Sequence, residues 1–133
     1  MNTQKVKLTT QKNQLKQIEL TMLLYCFGSF SVPIRKIKII IFKHFGINVN
    51  NHSIILIMYI YNTFNDGNFK QLDIINISGF TNYNLQYLRT RNLVLKDVTK
   101  THAKYILNPL LINELNTQFE YIFKSLQKKV KLI

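Results

Sequence analysis

The run from Ile54 to Tyr61 is apolar at all eight positions, and it constrains the fold more than any other stretch of the chain. A membrane-spanning helix needs about 20 such residues, so the run predicts an enclosed core segment and no transmembrane span. A segment that is apolar on nearly every side has no face to offer water, and other elements must surround it. Its β-branched isoleucines would also suit a strand. A helix over Ser53 to Phe64 is the reading here, because Asn65-Asp66-Gly67-Asn68 closes the run at helix length. Asn50 or Asn51 can cap its start.

The segments on either side are amphipathic. From about Thr10 to Phe27, Leu15, Ile18, Met22 and Cys26 recur at helical spacing beside Leu23. Residues 1 to 8 are polar and basic without a period. Lys5 to Lys16 followed by Leu20 to Phe27 imitates a signal peptide only faintly, since Glu19 borders the apolar core. Pro33 marks a fresh start, and a second helix is predicted from Val32 to Phe45. In it Ile34, Ile37, Ile41 and Phe45 face inward, Arg35, Lys36, Lys38 and Lys43 outward, and Gly46 stops it.

Beyond the apolar run, Phe69 to Ile77 reads as a helix with Phe69, Leu72 and Ile75 or Ile77 inward, and Ser78-Gly79 turns the chain into another. On that next helix Thr81, Leu85, Leu88 and Asn92 fall on one side, and Asn82, Tyr83, Gln86, Tyr87 and Thr90 on the other. Leu93-Val94-Leu95 and Tyr105-Ile106-Leu107 read as two short antiparallel strands joined by a polar loop from Lys96 to Lys104. Asn108-Pro109 starts a last helix with Leu111, Leu115, Ile122 and Leu126 as a stripe, Phe119 adjoining, and Lys128, Lys129 and Lys131 near its end.

The outward face of the Asn82 to Thr90 helix carries amides, phenols and a hydroxyl, and no acid lies between Asp73 and Asp97. Asn and Gln side chains suit adenine edges, while guanidinium groups suit guanine or phosphate. The whole chain carries a formal net charge of +12, from 18 basic and 6 acidic residues, which points to polyanionic partners. The abundance of Ile, Asn and Lys fits an AT-rich genome and discounts any single lysine as evidence. Asn82, Tyr83, Gln86, Tyr87 and Thr90 are therefore the candidate base-facing residues. Arg89, Arg91, Lys96, Lys100, His102 and Lys104 are the candidates for phosphate contact from the helix flank and the hairpin.

This order of elements, with LRTRNLV ending the polar helix, resembles the MarR family of transcription regulators, whose recognition helix ends L-x-x-x-G-L-[VI]; Asn92 stands at the customary glycine. The resemblance covers roughly Leu20 to Leu126. It implies a mainly α fold with a small β wing, one MarR-like domain over residues 1–133. In it a winged helix-turn-helix over about 51–107 is flanked by dimerisation helices at about 10–45 and 109–129. It further implies a cytoplasmic homodimer on double-stranded DNA, with recognition helices in successive major grooves of a palindrome about 34 Å apart. The family's Asp-x-Arg at the wing base is missing, and only Asp97 and Lys104 could act similarly. Family members often take a small aromatic effector, but no residue here identifies one.

Cys26, in Leu24-Tyr25-Cys26-Phe27, resembles in position the peroxide-sensing cysteine of the OhrR-like and SarA-like branches. The tyrosine hydroxyls that stabilise that thiolate would fall near Phe30 and Ile40, which cannot donate. A buried structural cysteine is the favoured reading and a redox sensor the other. A single cysteine excludes an internal disulfide, and the scattered His44, His52 and His102 suggest no metal site. Neither a nucleophile-base-acid grouping nor a glycine-rich phosphate loop stands out, so neither enzyme nor cofactor is expected. The alternatives are a plasmid or phage winged-helix replication or assembly protein, and a basic helical protein bound to anionic membrane through Arg35 to Lys43.

Overall fold

The computed structural model describes residues 31–64, 67–75, 80–97 and 104–123. The elements run α1 (Ser31–Phe45), α2 (Asn51–Thr63), β1 (Asn68–Lys70), α3 (Gln71–Ile75), α4 (Asn82–Thr90), β2 (Val94–Asp97), β3 (Lys104–Leu107) and α5 (Pro109–Thr117). The fold is mainly helical with a small three-stranded antiparallel sheet. The chain forms two compact units, one of Met1–Asn48 with Asn113–Ile133 and the other of Val49–Ile112. The predicted first helix, Cys26, the Ser78-Gly79 turn, Lys100, His102, and the chain from residue 124 onward lie outside the described residues.

In the Val49–Ile112 unit the apolar run is helical, as its closing turn predicted. Asn50 caps α2, its side chain accepting from the Ser53 N–H at 2.8 Å. Ile54, Leu56, Ile57, Met58 and Ile60 are completely buried. Tyr61 is buried beside them, and loss of solvation pushes its phenol well above the ordinary tyrosine range. Among the described residues no helix is long and apolar enough to cross a membrane.

The sheet has the order β1-β3-β2. Phe69 lies opposite Tyr105 and Val94 opposite Leu107, so one face of the sheet closes on the core. The Phe69 and Tyr105 rings stack with centroids 5.8 Å apart. Gly67 leads into β1 at φ +76°, with its carbonyl accepting from the Leu107 N–H. The positive φ calls for glycine, and a Cβ there would meet Ile112 Cδ1 at 2.6 Å, so the tip of that side chain would have to shift as well.

One predicted element needs correction. Phe69 to Ile77 is not a single helix: Asn68–Lys70 joins the sheet, and among the described residues of the stretch the helix runs Gln71–Ile75. Ile74 takes the core position, fully buried, whereas Leu72 is 64% exposed and Ile75 is 39% exposed. Phe69 satisfied the helical spacing by coincidence, because hydrogen bonding to β3 fixes its direction instead.

In the other unit, α1 buries Ile34, Ile37, Ile40 and Ile41. Gly46 ends it at φ +70°, donating to the Phe42 carbonyl. Lys36 donates to the Tyr121 carbonyl and lies over the Tyr121 ring, 3.8 Å from its centroid. His44 Nε2 stands 3.4 Å from a Glu114 carboxylate oxygen. Leu115, Phe119, Ile122 and Phe123 are buried, which matches the predicted stripe and extends it. The last helix is less regular than predicted: α5 ends at Thr117, Gln118 is a turn, and helix resumes over 119–123. The Thr117 hydroxyl donates to the Asn113 carbonyl at 2.8 Å, a back-bond that competes with the helical ladder.

Candidate nucleic-acid interface

Helix α4 is fixed at both ends by short polar side chains. At its start Asn84 Oδ1 accepts from the Thr81 N–H at 2.8 Å, one half of a capping box. At its end Asn92 adopts φ 61°. There the Leu93 N–H donates to the Leu88 carbonyl and the Asn92 N–H to Arg89, the pairing of a left-handed helix stop. Asparagine thus serves where glycine is usual. Leu85 and Leu88 are fully buried and anchor the helix, but Thr81 and Asn92 are exposed. Sequence spacing had placed those two on the inward side; their backbone roles as cap and stop put them in solvent.

The opposite face presents the candidate side chains. Asn82, Tyr83 and Thr90 are exposed, Tyr83 by 74%, while Gln86, Tyr87, Arg89 and Arg91 are half-buried. Tyr87 is less free than its spacing suggested. Its hydroxyl accepts from the Asn50 N–H at 3.4 Å, and the Arg91 guanidinium lies 3.4 Å from its ring centroid. Arg91 Nη1 also donates to the Tyr87 carbonyl at 3.0 Å. Arg91 is thereby held against the helix as a fixed cation, and Tyr87 supports it.

A chain of amides crosses the same face. Gln71 Nε2 donates to Asn82 Oδ1 at 2.8 Å, and Gln86 Nε2 reaches the same oxygen at 3.4 Å. Arg89 Nη1 donates to Gln86 Oε1 at 3.4 Å, and its guanidinium carbon lies 5.7 Å from the Tyr105 ring centroid.

The hairpin residues divide between two faces. Lys96 pairs with Tyr105 and shares its face, the side on which Arg89 lies. Lys104 pairs with Asp97 on one side and Lys70 on the other, so those three share the opposite face. The structure thus groups Lys96 with Arg89 and sets Lys104 apart. Asp97 and Lys104 lie directly opposite each other in the β2–β3 register. Lys100 and His102 belong to the stretch between the strands that is not described.

Two residues of this region escaped the sequence reading. Gln71 meets Asn82, 11 residues further along the chain, and Lys70 joins the Lys104 face through sheet pairing. Neither carries a periodic signal, since both contacts are tertiary. Among the described residues no three His, Cys, Asp or Glu side chains gather as metal ligands. No family model matches the chain, and no curated protein or solved structure matches it.

Proposed function

We propose that this chain is a winged helix-turn-helix protein of MarR-like organisation that binds double-stranded DNA sequence-specifically and regulates transcription as a homodimer. The observation that carries the reading is the acid-free polar face of α4, with Tyr83 in solvent and Arg89 and Arg91 fixed at its C-terminal end. The order of two helices, α3 and α4, followed by the paired strands β2 and β3 supports it. In this reading α4 enters a major groove; Asn82, Tyr83, Gln86 and Thr90 meet base edges, and Arg89, Arg91 and Lys96 neutralise phosphates. Tyr87 acts through Arg91. The homodimer draws support from Ile39 and Phe42, 59% and 57% exposed on α1, an apolar pair that a second copy would cover.

A mobility-shift competition tests the proposal. The protein should prefer its selected duplex over random DNA by roughly 10³-fold or more, and the selected site should have twofold symmetry. Equal affinity for all duplexes would contradict it, and an asymmetric site would favour a replication or assembly role.

One observation favours a second reading. Helix α1 sets the exposed Val32, Ile39 and Phe42 among Arg35, Lys38 and Lys43 without any acid, a composition that also suits an anionic membrane surface. Sedimentation with anionic vesicles, undiminished by excess selected duplex, would support that reading instead.

A further inference from the structure

The amide chain on α4 has a polarity, and this polarity bears on which base the helix can recognise. A carboxamide oxygen has two acceptor positions. At Asn82 both are engaged, by Gln71 Nε2 at 2.8 Å and by Gln86 Nε2 at 3.4 Å. Asn82 is the first residue of α4 and is exposed, at the end of a recognition helix that ordinarily meets base edges. With that oxygen engaged, the donor end of the amide, Nδ2, is the end left to meet a base edge. Gln86 is engaged at both ends, its Nε2 reaching Asn82 Oδ1 and its Oε1 receiving Arg89 Nη1, each at 3.4 Å.

Adenine recognition by asparagine needs both ends of the amide: the oxygen accepts from N6–H while the nitrogen donates to N7. With the oxygen occupied, that contact is closed. Guanine instead shows two acceptors, N7 and O6, to the major groove, and the donor end of the amide matches them. We infer that Gln71 is a positioning residue that sets Asn82 to read guanine instead of adenine. Gln71 is itself well placed for this. It opens α3, whose first turn is fixed by the Asp73 carboxylate accepting from the Lys70 N–H at 2.7 Å, and whose Ile74 is fully buried. The inference rests on α4 being a DNA-reading helix, and it names the chemistry that this helix reads.

The test is selection of bound duplexes from random DNA by the full chain, in the wild type, Gln71→Met and Asn82→Ala, with thermal melts to confirm folding. The wild-type motif should contain a guanine position that Asn82→Ala loses. Gln71→Met keeps the length but removes the 2.8 Å donor, which opens one acceptor position on Asn82 Oδ1 and leaves there the longer 3.4 Å contact from Gln86. At that one position preference should move from guanine to adenine by about tenfold, with the other positions and the salt dependence unchanged. Gln71→Glu, which replaces the donor with an acceptor, should turn the amide over and favour adenine or cytosine there; it serves if Gln71→Met melts early. An adenine at the Asn82-dependent position in wild type, a motif that Asn82→Ala leaves intact, or a guanine retained by both Gln71 variants would overturn the inference while leaving DNA recognition standing. A wild type that enriches no motif would sink the DNA-binding reading and this one with it.

Discussion

Leu88 is the side chain on which the exposed face of α4 most depends. It is completely buried, and its carbonyl receives the Leu93 N–H that stops the helix. Leu88→Ala removes three buried carbons, worth about 2.4 kcal/mol at roughly 0.8 kcal/mol each. The cavity left behind adds to this, bringing the expected loss to about 2–5 kcal/mol. A helix as short as α4, nine residues, is marginal without packing, so the loss falls on the element that carries the candidate site. In a domain of this size 1 kcal/mol moves the melting temperature by about 4–8 °C, so a fall of about 10 °C or more is expected. Thermal unfolding followed by far-UV circular dichroism, with urea titration at 25 °C, would measure both quantities. DNA affinity should fall with folded fraction and recover at low temperature. An unchanged melting temperature would refute the packing argument for α4.

Ile74→Ala should cost about 2–5 kcal/mol, whereas Leu72→Ala, at an exposed position, should stay within about 0.5 kcal/mol; urea titrations of the pair decide between the strand-and-short-helix arrangement and a continuous helix. Asn50→Ala should destabilise by about 1 kcal/mol in the same assay, through loss of the cap on α2. Gly67→Ala should cost more than about 1 kcal/mol, and Ile112→Val beside it should recover part of the loss by relieving the 2.6 Å contact. Lys96→Ala should lower the slope of log affinity against log salt by about one unit without altering sequence preference, as measured by binding across a salt series.

The sequence made the core elements legible wherever a local signal agreed with the tertiary outcome. The α2 run is apolar all round, and Asn50 and Asn108 are caps readable from short spacing: Asn108 Oδ1 accepts from the Leu110 N–H at 2.9 Å, with Pro109 between them. Leu85 and Leu88 declared the inner side of α4 by their period. The strand β1 was not legible, because three residues are too few for alternation to show and its pairing with β3 joins residues 68 and 106. Nor was the restraint on Tyr87, whose partner Asn50 is 37 residues away. The outward set of α4 was readable as a list; its internal bonding, which divides donors from acceptors, exists only in the folded chain.

The most direct measurement for the central claim is a titration of the isotopically labelled full chain with its selected duplex, followed by amide chemical shifts. The account predicts that the largest shifts fall on residues 81–91 and on Lys96, with α2 little affected. Shifts confined to α1, or none on α4 at saturating duplex, would contradict it.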